Sequence, residues 1–96
     1  MLIRSQDKEQ LLNIDSVKTI GICERGKCFA IFIDNLYFIG NYSSREKVIK
    51  VLDMIQEAYS EYQIMLNFSV SYLHEFKEKT DGFAIFQMPE DSEVEA

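Results

Sequence analysis

The amino-acid sequence predicts a single α+β domain: an antiparallel β-meander of about five strands, one long helix, and a C-terminal strand that returns to the sheet. Two observations lead to this prediction. The first 42 of the 96 residues alternate short apolar runs with turn residues, which is typical of strands joined by tight connections. Residues 44–79 contain no proline or glycine, and their apolar positions recur at intervals of four and three, which indicates a helix.

Six short apolar runs are the predicted strands. The run at 28–33 is the strongest, because it is rich in β-branched and aromatic residues and carries no charge. Asp34 and Asn35 follow it, and both residues tolerate the left-handed backbone of a tight two-residue turn. Consecutive strands with short turns predict an antiparallel meander. The predicted strands cover residues 2–5, 11–14, 17–23, 28–33, 36–42 and 83–88.

The predicted helix begins at a capping box, in which Ser43 accepts a hydrogen bond from the Glu46 amide and the Glu46 side chain reaches back to Ser43. A straight helix over residues 44–79 is about 54 Å long at ~1.5 Å per residue, whereas a six-residue strand spans about 20 Å. The distal half of this helix is apolar on most sides and must be buried. Two solutions remain open: the helix breaks near residues 67–69 and folds back, or it stays straight and packs against a partner chain.

The alternating apolar stripe favours packing against a partner, because this spacing makes a continuous seam between helices. The strands at 28–33 and 83–88 favour it too, since they are apolar on both faces and one helix covers only one face. The sequence therefore predicts a homodimer. The predicted interface residues are Tyr62, Met65, Leu66, Phe68, Tyr72, Leu73 and Phe76.

Composition and charge exclude several classes of function. Ten basic and 16 acidic residues give a formal charge of −6, which argues against binding of duplex DNA because such proteins carry a basic surface. No apolar run is long enough to cross a membrane. The N-terminus is polar from Arg4 onward and shows no apolar leader, so we expect a cytoplasmic protein. We expect the domain to cover residues 1–89, and residues 90–96 to form an acidic mobile tail.

The sequence shows no arrangement of residues that is typical of catalysis or metal binding. It has no glycine-rich phosphate loop and no nucleophile elbow, and His74 is its one histidine. We therefore predict no catalytic residue, no metal ligand and no cofactor, and we expect a protein that is not an enzyme. Cys23 and Cys28 flank a charged stretch that contains glycine, which predicts a hairpin whose two reduced thiols face each other.

Basic residues are few and lie mostly in the first half of the chain. Arg45 falls in the first turn of the predicted helix, where free amides attract anions, and Arg4 falls on the first strand. Two interpretations are open. These residues are surface charges that offset the acidic excess, or a small phosphate-bearing ligand binds to Arg4, Tyr42, Arg45 and Tyr59.

Three stretches of the sequence are informative when they are taken together. They are MLIRSQDK at 1–8, IGNYSSREK at 39–47 running into VLDMIQ at 51–56, and FQMPEDSEV at 86–94. Together they resemble a family of small proteins carried by phages and integrative elements of Firmicutes. The resemblance implies no catalytic residues, but it implies a setting in a bacterial host, where small accessory proteins often act as counter-defence factors or regulators.

Two main hypotheses for function follow. The first is a non-enzymatic, homodimeric counter-defence protein that binds a host defence protein, since an acidic, compact surface suits imitation of nucleic acid. The alternative is an oligomeric sponge that sequesters a small signalling nucleotide, or a structural or regulatory module without a ligand. Each of these hypotheses places the protein in the bacterial cytoplasm.

Overall fold

A computed structural model describes residues 1–66 and 85–95 of the chain. In these residues six strands and one long helix form an α+β fold, which confirms the predicted class. Two short 3-10 turns, Ile14–Ser16 and Asp91–Glu93, complete the described structure. The strands and the helix are β1 (Leu2–Arg4), β2 (Leu11–Asn13), β3 (Ile20–Arg25), β4 (Cys28–Ile33), β5 (Tyr37–Tyr42), α1 (Arg45–Leu66) and β6 (Ile85–Gln87).

The strands are divided between two three-stranded sheets, where the sequence predicts one continuous meander. The first sheet has the order β2-β1-β6, with β1 antiparallel to β2 and parallel to β6. The second sheet is an antiparallel meander in the order β3-β4-β5. The division follows from the 3-10 turn at Ile14–Ser16, which interrupts the extended chain after β2 and is capped by the Asn13 side chain. The C-terminal strand does return to a sheet, but its partner is β1.

The turn between β4 and β5 confirms the prediction made for Asp34 and Asn35. Their φ angles are 53° and 59°, and the Leu36 amide donates a hydrogen bond to the Ile33 carbonyl around them. The Asp34 carboxylate also accepts hydrogen bonds from the two amides immediately before β3, at 2.9 and 2.8 Å. The turn is therefore tied to the start of β3.

The hairpin between β3 and β4 is tighter than the sequence predicts. Arg25 pairs with Cys28, so the turn has two residues, and Gly26 takes the positive φ of 61° that such a turn requires. Cys23 pairs with Ala30. The prediction of directly facing cysteines is therefore wrong, because the short turn extends the strand pairing and offsets the cysteines along the strands. Both thiols are free.

The helix cap is one residue away from its predicted position. The Ser44 hydroxyl oxygen accepts a hydrogen bond from the Lys47 amide at 3.2 Å, so Ser44 is the cap and the predicted capping box at Ser43 is wrong. The reason lies far along the chain. The amide and the hydroxyl of Ser43 both donate to Asp91 Oδ1, at 2.8 and 3.0 Å, which removes Ser43 from the capping position.

The described part of α1 has 22 residues and is about 33 Å long. Its buried residues Val48, Val51 and Ile55 recur at intervals of three and four, which places them on one face. The predicted continuation to residue 79 and the alternative break near residues 67–69 lie outside the described residues. The core that this face joins consists of Met1, Ile3, Ile31, Ile33, Ile39, Tyr42, Val48, Val51, Ile55, Met88 and Val94.

Residues 90–95 pack against the domain, whereas the sequence predicts a mobile tail from residue 90. Val94 is 4% exposed and belongs to the core. The Lys47 ammonium donates to the carbonyl of Asp91 at 3.0 Å and lies 3.4 Å from its carboxylate. An apolar side chain and a set of hydrogen bonds thus hold the acidic segment, so the packed domain extends to Glu95.

The two sheets are joined at Gln6. The Gln6 amide donates to the Ile39 carbonyl at 2.8 Å. Its side chain acts as a strand partner for Asn41: Oε1 accepts from the Asn41 amide at 2.9 Å, and Nε2 donates to the Asn41 carbonyl at 3.1 Å. Nε2 also donates to the Pro89 carbonyl at 3.2 Å. One carboxamide therefore connects the first sheet, the edge of β5 and the C-terminal segment.

We predict that Gln6→Ala lowers the free energy of unfolding by about 1–3 kcal/mol, because it removes three hydrogen bonds, of which the one to the Pro89 carbonyl is partly buried. The measurement is urea denaturation of the full chain. Gln10→Ala is the matched control, since the Gln10 side chain is exposed and its hydrogen bonds in the described structure come from the backbone. Equal midpoints for Gln6→Ala and the parent protein would show that the junction does not stabilise the fold.

Candidate functional site

The four residues predicted to bind a ligand lie in separate parts of the molecule. Arg4 is exposed on β1, and Arg45 is exposed at the first residue of α1. Tyr59 lies about 21 Å farther along the helix axis than Arg45, at ~1.5 Å per residue. Tyr42 is 1% exposed, inside the core. The structure does not bring the four side chains together as one binding site.

Tyr42 has a structural contact in place of a ligand. Its hydroxyl donates a hydrogen bond to the Pro89 carbonyl at 2.7 Å. Burial raises the pKa of this phenol well above its ordinary value, and the nearby carboxylates of Glu90 and Asp91 add to the effect. Tyr42 therefore stays protonated and fixes the C-terminal segment to β5.

The start of α1 already holds an anion from the same chain. Hydrogen bonding from the Ser43 amide lowers the pKa of the Asp91 carboxyl, and the Lys47 ammonium acts in the same direction. The carboxylate thus lies beside the start of α1, bonded to Ser43 before the first turn in which the sequence predicts an anion site. Arg45, next to it in the chain, remains exposed.

An open groove of about 370 Å³ lies between α1 and the start of β3. Its volume falls near the lower end of the range of ligand pockets. Most of its lining is aliphatic, with polar groups on the helix side. The lining residues are Ile14, Ile20, Leu52, Asp53, Ile55, Gln56 and Tyr59.

Carboxylates dominate the electrostatics of this groove. The Tyr59 hydroxyl donates to Asp15 Oδ1 at 3.1 Å, and this hydrogen bond is the main reason that the pKa of Tyr59 is raised. The N-terminal ammonium of Met1 lies 3.2 Å from Asp15 Oδ2 and offsets its charge. Asp53 has no ion-pair partner in the described part of the chain. No lysine or arginine from that part lines the groove, so an anionic ligand is disfavoured there.

A second candidate surface lies at the turn between β4 and β5. Leu36, Tyr37 and Phe38, which we call the turn patch, are 76%, 48% and 41% exposed. The Phe38 ring meets Phe32 edge to face, with 5.7 Å between the ring centroids. The Arg25 guanidinium lies 5.8 Å above the centre of the Phe32 ring. The turn patch therefore continues into an aromatic pair on the sheet.

The end of the described helix is a third apolar surface. Ile64 is 59% exposed and Leu66 is 48% exposed, whereas Tyr62 and Met65 are half-buried. Of the predicted dimer interface, the structure therefore shows Tyr62, Met65 and Leu66. The other predicted interface residues lie outside the described residues: Phe68, Tyr72, Leu73 and Phe76.

Sequence reasoning did not identify the groove or the turn patch. One signal for the patch was present, because residues 28–33 are apolar on both faces and one helix covers one of them. The groove had a weaker signal. Leu52, Ile55 and Tyr59 belong to the apolar stripe of the helix, but their partners Ile14 and Ile20 are distant in the sequence.

Several features that would point to a known activity are not found. Across residues 1–66 and 85–95, no cluster of three or more histidine, cysteine or acidic side chains could hold a metal ion. No helix in these two ranges combines the length and hydropathy of a membrane-spanning segment. Comparisons with protein-family models, with curated proteins and with solved structures found no match.

We predict that Asp91 makes the stability of the fold depend on pH. Its carboxyl has a folded-state pKa below the ordinary value of 3.8. Its stabilising effect is therefore complete above the unfolded-state pKa and is lost as the pH falls through the folded value. Asp91→Asn should flatten the fall in unfolding free energy, measured by urea denaturation between about pH 6 and pH 3. Hydrogen bonding from Ser5 also lowers the pKa of Asp7, so part of the dependence should remain.

Asp53→Asn is the control for this measurement, because Asp53 is exposed and makes no ion pair within the described residues. A pH profile that is equally steep in Asp91→Asn and in the parent protein would contradict the prediction.

Proposed function

We propose that the protein is a non-enzymatic accessory protein of a phage or other mobile element, and that it binds a host defence protein as a homodimer and blocks it in the bacterial cytoplasm. The observation that carries the proposal is the exposure of large apolar side chains on two separate surfaces. These surfaces are the turn patch and the end of the described helix.

The two surfaces suit two different contacts. Soluble monomers rarely expose large contiguous apolar patches, and such patches usually bind other proteins. Ile64 and Leu66 adjoin the apolar stretch 68–76 in the sequence, so we assign the helix end to self-association. A closed two-fold dimer is the commonest arrangement for such a contact. The turn patch is then free to bind the target.

The negative charge on α1 favours a target that has a basic surface. Asp53, Glu57 and Glu61 are all exposed on α1 at a spacing of four residues, which is about 6 Å along the axis. A line of carboxylates attracts a basic surface and speeds association with it. The resemblance of residues 1–8, 39–56 and 86–94 to proteins of mobile elements supports the setting in which such a target occurs.

The alternative of a nucleotide sponge has less support. Its four predicted residues are dispersed, Tyr42 is buried, and the Asp91 carboxylate lies beside the start of α1, where it repels a phosphate. The groove beside Tyr59 presents carboxylates, which repel phosphate. A structural or regulatory module without a ligand is the interpretation that remains if the following two tests fail.

We predict that the parent protein sediments as a dimer at micromolar concentrations, and that the double variant Leu66→Glu, Leu73→Glu sediments as a monomer because charges enter the apolar seam. Ile49→Glu is the matched control, since Ile49 is 39% exposed on the first half of α1 and should leave the dimer intact. Analytical ultracentrifugation measures all three proteins. A parent protein that is monomeric at high micromolar concentration would refute the dimer.

We predict that expression of the protein restores plating of a phage on a Firmicutes strain whose defence system restricts that phage. The double variant Leu36→Glu, Phe38→Glu should lose this effect, because it places charges in the turn patch. Leu11→Glu should keep it, since Leu11 is 56% exposed on the other sheet. The proposal fails if the parent protein restores plating against none of a panel of defence systems, or if the turn-patch variant is fully active.

A further inference from the structure

The groove between α1 and β3 has an uncompensated charge beside an aliphatic floor. Ile14, Ile20, Leu52 and Ile55 supply the apolar surface, and Asp53 supplies a carboxylate without an ion-pair partner in the described chain. The Asp15 carboxylate lies outside the lining, accepts a hydrogen bond from Tyr59 and is 3.2 Å from the Met1 ammonium. A ligand that complements this lining needs an aliphatic side chain and a cation near it.

The groove and the turn patch are connected through the backbone at one end of the second sheet. Ile20, in the groove lining, is the first residue of β3 and pairs with Ile33 at the end of β4. The Asp34 amide donates to the Thr19 carbonyl at 2.9 Å, immediately before Ile20, and Leu36 of the patch follows two residues after Asp34. Phe38 of the patch pairs with Phe32, which lies on the opposite face of the sheet from Ile33, so the groove and the aromatic part of the patch are separate surfaces.

We propose that the groove is the docking site for a short segment of the target protein that carries an aliphatic side chain next to a lysine or arginine. This inference rests on the proposed function and names the chemistry of the partner. The aliphatic side chain enters the groove against Leu52 and Ile55, and the cation pairs with Asp53. The Tyr59 hydroxyl donates to Asp15 and leaves its ring as an apolar wall.

The test uses the full chain labelled with ¹⁵N and two synthetic peptides, acetyl-Lys-Leu-Ile-Lys-amide and acetyl-Glu-Leu-Ile-Glu-amide. We expect the basic peptide to shift the amide resonances of groove residues such as Ile20, Leu52 and Tyr59. The acidic peptide should bind more weakly. Asp53→Lys should weaken binding of the basic peptide by about threefold or more, the scale of an exposed ion pair.

The matched control is Glu46→Lys, which makes the same charge change on the same helix at an exposed residue outside both the groove lining and the line of carboxylates. Gln56→Trp, which adds bulk at the groove wall, should remove binding of both peptides while the dispersed amide spectrum shows that the fold persists.

Three results would overturn the inference: shifts located away from the groove, equal binding of the two peptides, or equal weakening by Asp53→Lys and Glu46→Lys. These results leave the plating test untouched, so restored plating without groove binding removes the docking site and keeps the proposed function. Groove binding without restored plating removes the proposed function and keeps the docking site.

Discussion

The hydrogen bonds of the Gln6 carboxamide organise this fold. A small sheet depends on burying its apolar face, and its edges expose unpaired backbone groups. Gln6 satisfies the outer edge of β5 at Asn41 and holds Pro89 with the same amide nitrogen. Two small sheets and the C-terminal segment therefore share one core, in which Ile3 of the first sheet lies with Ile31 of the second.

The polar residues around this junction make hydrogen bonds within the protein. Tyr42 fixes the Pro89 carbonyl, and Asp91 holds Ser43 and Lys47 at the start of α1. Three stretches of the chain meet here, because residues 1–8, 39–56 and 86–94 supply these contacts. Within residues 1–66 and 85–95, the turn patch, the groove and the end of α1 are surfaces that take no part in this junction.

Local patterns predicted the parts of the fold that depend on neighbouring residues. The strand at Cys28–Ile33 and the turn at Asp34 and Asn35 have the predicted positions, because β propensity and left-handed backbone are local properties. The cap moved from Ser43 to Ser44 because Asp91, 48 residues away, takes the hydrogen bonds of Ser43. The division into two sheets, the packing of residues 90–95 and the groove also depend on contacts between distant residues, which no local pattern reveals.

Native-state hydrogen exchange of the Asn41 amide tests the central role of Gln6 most directly. Asn41 is an exposed residue, and its amide has a side chain, Gln6 Oε1, as its acceptor. If the junction holds the sheets together, this amide opens only when they separate, and its protection should approach that of the Ile31 amide in the core. Exchange of the Asn41 amide at the rate of an unprotected peptide, while Ile31 stays protected, would contradict the account.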